Sequence, residues 1–158
     1  MPLTTQTGLL PSLLDRLEAA GQPSSSALWY GPAEMAQAVQ RDLEELLNTR
    51  ETHQGLVDDL PEARRSLLTF GLPDLASLDT GSADYQQDLA QDIEAAVRFF
   101  EPRLTDVRAI PLDTPTPTRP TIRFRIAGRL RLEPAPAVAF DTTLELASGH
   151  YSVELTTP

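Results

Sequence analysis

The sequence predicts an α+β fold in which helices come first and a small antiparallel sheet follows. Two observations predict it. Apolar residues recur every three to four positions as far as Pro102 and every second position after it. The charge changes at the same boundary: residues 1–102 hold 17 acids and 6 Arg, a balance of -11, whereas residues 103–158 hold 6 acids and 7 Arg, a balance of +1. About four helices are expected, then roughly three to four strands. A length of 158 residues suits one ordinary core. Residues 1–22 read as an N-terminal helix with a linker to about 31, and 32–158 as one α+β domain, helical in 32–102 and stranded in 103–158.

The first helix follows Pro11, which suits a helix start, places Leu13, Leu14 and Leu17 on one face, and stops at Gly21. Such a short helix does not persist alone in water. Gly21 to Ser26 reads as a linker. Gly31 and Pro32 open the second helix, Glu34 complements its positive end, and Met35, Val39, Leu43, Leu46 and Leu47 form its apolar stripe. A third, short helix is expected from Asp59, where Asp59 and Glu62 have capping-box spacing around Pro61, to Gly71, with Leu67, Leu68 and Phe70 as core candidates. Pro73 prevents its continuation. Ser82 caps the fourth helix, Asp84 and Asp88 complement its start, and Leu89, Ile93, Val97 and Phe100 keep helical spacing until Pro102.

Leu104 to Ile110 reads as the first strand, followed by a loop with four prolines between Pro111 and Pro120. Ile122, Phe124, Ile126, Leu130 and Leu132 alternate with Arg123, Arg125, Arg129 and Arg131 in the second, with Gly128 as a point of bending. Val138, Phe140, Leu144 and Leu146 mark the third. Ser148 and Gly149 turn the chain into the last, through Tyr151, Val153 and Leu155.

A net charge of -10 repels phosphate backbones and anionic lipid, so neither nucleic-acid binding nor direct membrane insertion is expected. The absence of Cys removes thiol chemistry and Cys-based metal sites. No apolar stretch approaches the roughly 18 residues of a membrane span, and nothing basic precedes Arg16, so a cytoplasmic location is expected. His53 and His150 lack metal-ligand spacing, and no nucleophile elbow or phosphate cradle is present; no catalytic residue, metal or cofactor is expected. A carboxylate pair such as Glu101 with Asp106 or Asp74 makes a glycoside hydrolase conceivable. Such a site needs one carboxyl held protonated, and Arg103 beside Glu101 opposes that.

Two charged features remain. Glu101 sits at the carbonyl end of a helix, where an anion is disfavoured, and Pro102 makes a rigid corner between Glu101 and Arg103. It reads either as an internal ion pair joining helix to sheet or as a partner contact. The Arg ladder at 123, 125, 129 and 131 is either a solvated face or one opposed by acids, because like charges on one strand face repel. All 13 bases are Arg, whose planar guanidinium suits paired carboxylates.

Four motifs in order, Leu13-Leu14-Asp15-Arg16-Leu17, Arg41 to Arg50 (RDLEELLNTR), Ser66 to Leu75 (SLLTFGLPDL) and Glu101-Pro102-Arg103-Leu104, resemble the TssE family of type VI secretion baseplate proteins, relatives of a wedge protein of contractile phage tails. The Gly21–Tyr30 linker and the Pro111–Pro120 loop match no family pattern. The resemblance implies a non-enzymatic part that joins the wedge proteins TssF and TssG, meets TssK indirectly, and helps start polymerisation of the TssB/TssC sheath. It implies that Glu101, Pro102 and Arg103, with Arg50, contact the wedge core, and that Asn48 beside Arg50 is important. It also implies strand exchange between the sheath and the strand region, for which Arg123, Arg125 and Val153 are the candidates. Leu13, Leu14 and Leu17 form a possible docking helix.

Overall fold

The sheet is antiparallel, four-stranded and ordered as the chain runs: β1 (Leu104–Asp113), β2 (Thr121–Leu130), β3 (Ala137–Glu145) and β4 (His150–Thr156). Among the described residues three α-helices accompany it: α1 (Leu13–Ala19), α2 (Pro32–Asn48) and α3 (Ala83–Phe100). The computed structural model describes residues 11–19, 30–51, 60, 62–63, 66–73, 83–113 and 120–156. The Gly21–Ser26 linker, His53, Asp59, Pro61, Asp74, Ser82 and most of the proline loop lie outside these, as does the side chain of Leu14.

Alternation dictates which face of the sheet is buried. Ile122, Phe124, Ile126 and Leu130 of β2, Phe140 and Leu144 of β3, and Tyr151 and Val153 of β4 turn inward. They meet Met35, Val39, Leu43, Leu46 and Leu47 of α2 and Leu89, Ile93 and Val97 of α3 in one buried cluster. α3 packs over β1 and α2 over β4, so two helices side by side cover one sheet face. β2 ends at Leu130, short of the expected Leu132. Gly128 does not break it: a Cβ there would lie 3.1 Å from the Thr105 carbonyl, so the glycine permits close approach of β1. The irregularity lies in β1, where Asp106 takes φ 54° and the register with β2 shifts between Thr105 and Arg108.

The expected third helix is corrected. The described residues of that stretch form no α-helix; they include a 3-10 turn, Leu67–Thr69, whose start is capped by the Ser66 hydroxyl accepting from the Leu68 N–H. Leu67 and Leu68 are exposed and Phe70 is half-buried; Leu72 is the fully buried residue. Backbone pairing explains the difference. The Leu72 N–H donates to the Thr49 carbonyl and the Glu51 N–H to the Leu72 carbonyl, both at 2.9 Å, forming a parallel bridge with the end of α2. Gly71 turns the chain into that bridge at φ 121°, where a Cβ would collide with the Thr49 carbonyl.

Candidate partner-binding surfaces

The corner after α3 is closed by charge. Glu101 is buried, and its carboxylate accepts from the Arg103 backbone N–H at 3.1 Å and from Arg103 Nε at 2.7 Å. Arg103 Nη2 donates to the second Glu101 oxygen and, at 2.5 Å, to Asp42 Oδ2. Burial opposes the charge on Arg103, and the hydrogen bonds and charges of Glu101 and Asp42 outweigh it, holding the guanidinium firmly protonated. Within the chain, this one Arg ties α2, the end of α3 and the start of β1 together. Pro102 stays exposed.

A groove of about 400 Å³ opens beside this cluster, floored by Leu43, Leu46, Phe70 and Phe100 and edged by Glu45 and Pro102. Phe70 meets Phe100 edge to face, ring centres 5.1 Å apart. α1 reaches the same region. Its Ser12 hydroxyl caps the helix by accepting from the Asp15 N–H, and the buried Asp15 carboxylate accepts from Arg41 of α2 at 2.5 Å. Burial raises the Asp15 pKa, but Ser12 and Arg41 outweigh it and hold the acid below the usual carboxylate range. Leu13 and Leu17 are 70% and 64% exposed. The expected apolar face of α1 is thus turned outward at these two positions, and its polar Asp15 is the anchor.

Arg50 donates from Nη2 to the Gly149 carbonyl at 2.9 Å, while its buried Nη1 has no hydrogen-bond partner among the described residues. It fixes the β3–β4 turn to the end of α2. Asn48 is more fully engaged. Its amide nitrogen donates to the Glu44 and Tyr151 carbonyls, both at 2.8 Å, and its oxygen accepts from the Tyr151 N–H at 2.9 Å. Gln40 Nε2 donates to the Val153 carbonyl at 2.8 Å. At the opposite edge, Arg98 donates to the Val107 carbonyl at 3.0 Å and Glu94 accepts from the Ala109 N–H at 3.1 Å. The sequence reading missed Gln40, Glu94 and Arg98, because no local pattern marks a helix side chain that reaches a strand edge.

The Arg ladder is partly opposed by acids from neighbouring strands. Arg123 pairs with Asp113 of β1 at 3.1 Å, and Arg125 holds both oxygens of Asp141 of β3, at 2.7 and 3.0 Å. The Arg125 hydrogen bond lowers the Asp141 pKa. Arg129 and Arg131 are exposed. Val153 is buried, with its carbonyl held by Gln40.

Of the carboxylates considered for hydrolysis, Glu101 is locked against Arg103, and Asp106 is exposed on the β1 bulge. His150 lies exposed at the start of β4. Among the described residues no group of three or more His, Cys, Asp or Glu could hold a metal ion, and no helix is long and apolar enough to cross a membrane.

Comparison with curated proteins and with solved structures found no match. A family model described as baseplate wedge protein gp25 matches residues 33–135, from the start of α2 to the loop before β3. That span holds α2, α3, the charged corner, β1 and β2, and it makes up more than half of the chain. The protein therefore belongs to the gp25 family of baseplate wedge proteins and is a structural baseplate component.

Proposed function

We propose that this protein is the TssE-type component of a type VI secretion baseplate, binding TssF and TssG through the face around the charged corner and helping to start the TssB/TssC sheath by strand exchange. It acts by geometry, without catalysis, on the cytoplasmic side of the membrane, and meets TssK only through the wedge. The observation that carries this reading, beside the family match, is a small open sheet whose last strand, β4, lies at an edge. Strand addition to such an edge gives affinity through main-chain hydrogen bonds and needs no cleft or cofactor. The groove over Leu43, Leu46, Phe70 and Phe100, with exposed Leu13 and Leu17 nearby on α1, supplies apolar surface for the wedge.

Co-expression with TssF and TssG followed by size exclusion tests the assignment: co-elution is expected, and a chain that elutes alone as a stable monomer counts against it. A second reading, the equivalent piece of a phage or other contractile particle, is favoured by the name of the matching family itself. The genes beside this one distinguish the two.

A further inference from the structure

Both outer strands of the sheet present backbone groups outward, and on both sides a helix covers part of them, but with different chemistry. On β1 the covering groups are ionic. Arg98 and Glu94 hold Val107 and Ala109 while paired with each other at 2.8 Å, and Arg108 stands 3.4 Å from Glu94. Pro111, two positions further, has no N–H to offer. A strand added there would strip these charges of their backbone contacts and meet a proline.

On β4 the covering groups are neutral amides. Asn48 takes both the N–H and the carbonyl of Tyr151, as a paired strand residue does, and Gln40 takes the Val153 carbonyl. Exchanging a side-chain amide for a backbone amide replaces like with like. By alternation, the Val153 N–H and both groups of Leu155 face the same edge, and the Leu155 side chain is 40% exposed.

We infer that β4 is the strand-accepting edge and that Asn48 and Gln40 are its gate. An incoming extended segment pairs first with Val153 and Leu155 and advances to Tyr151 by displacing Asn48. A second copy of this chain is the wrong occupant. The antiparallel register that pairs Val153 with Leu155 of the other copy sets Glu154 directly opposite Glu154, beside Asp141, and like charges so placed repel. The fitting occupant is a segment of another protein with a basic residue facing Glu154. The inference rests on the strand-exchange reading above and specifies where and how it occurs.

Amide hydrogen exchange on the full chain, free and with purified sheath subunits, tests it. In the free protein, Asn48→Ala raises exchange at the Tyr151 amide by about tenfold and leaves Ile93 in α3 unchanged. Sheath subunits slow exchange at Val153 and Leu155. Leu155→Pro, which removes an outward N–H and no bond to β3, abolishes sheath association while wedge binding persists. Should the alanine variant not fold, Asn48→Asp carries the measurement, keeping the acceptor for Tyr151 N–H and losing the donated bonds: Tyr151 stays protected and Ile93 is unchanged. Protection gained around Ala109 instead would overturn the edge assignment and leave strand exchange standing. Bound subunits that protect neither edge would overturn strand exchange itself. In Asn48→Ala, unchanged Tyr151 exchange, or sheath binding lost by that variant while Ile93 stays protected, would overturn the gate.

Discussion

Replacing Arg103 by methionine removes the cation against which Glu101 is buried. The side chains of Glu101, Arg103 and Asp42 are 4%, 27% and 33% exposed, so the carboxylate of Glu101 is the group that suffers most from losing its partner. Removing one member of a buried pair costs about 3–5 kcal/mol, mostly through the stranded charge. Glu101→Gln leaves a neutral acceptor beside an Arg103 still paired with Asp42, so about 1.5–3 kcal/mol is expected there. In a domain of this size the methionine variant should melt roughly 10 °C below wild type. Urea titrations of both variants, followed by circular dichroism at about pH 7.5, measure this, and a gap to wild type below about 1 kcal/mol for Arg103→Met would refute the account of the corner as an internal tie.

Asp141 is held below the usual carboxylate range by Arg125, so its contribution is present above the unfolded pKa of about 3.9 and is lost as pH falls through the lower folded value; melting curves of wild type and Asp141→Asn should converge in that acidic window. Gly71→Ala must place a Cβ against the Thr49 carbonyl at a left-handed φ, and a loss of about 1–3 kcal/mol in urea unfolding is expected. Val153→Pro removes an N–H that faces the edge, not the β3 ladder, so TssF and TssG should still co-elute while sheath assembly stops; normal sheath formation would contradict the strand-exchange reading. Deleting residues 1–22 should weaken a pull-down of TssF and TssG with little change in melting temperature, because Leu13 and Leu17 are exposed; an unaltered pull-down with a lower melting temperature would make α1 part of the core.

Much of this fold was written in residue periodicity. Leu89, Ile93 and Val97 of α3 and the alternation of Ile122, Phe124 and Ile126 in β2 each repeat over enough residues for one face to be unmistakable. The segment before Gly71 misled because Leu67 and Leu68 are apolar at helical spacing yet exposed, and the interaction that decides their conformation is a backbone bridge to Thr49 and Glu51. Glu101 and Arg103, two residues apart, could be paired from sequence. Their third partner, Asp42, is 61 residues from Arg103, and Gln40 is 113 residues from the carbonyl it holds. Such contacts follow from how helices land on a sheet, which a local pattern does not encode.

α2 is a single rod of 17 residues, and among the described residues five tethers start on it or just beyond its end. Arg41 grips α1, Asp42 grips the corner, Gln40 and Asn48 grip β4, and Arg50 grips the last turn. Asp42 and Asn48 stand about 9 Å apart along the axis, too short a distance for a helix to bend appreciably. Whatever tilts this rod at the groove must therefore shift the amides at β4 as well, so docking on one side of the protein and readiness on the other share a mechanical linkage with almost no slack.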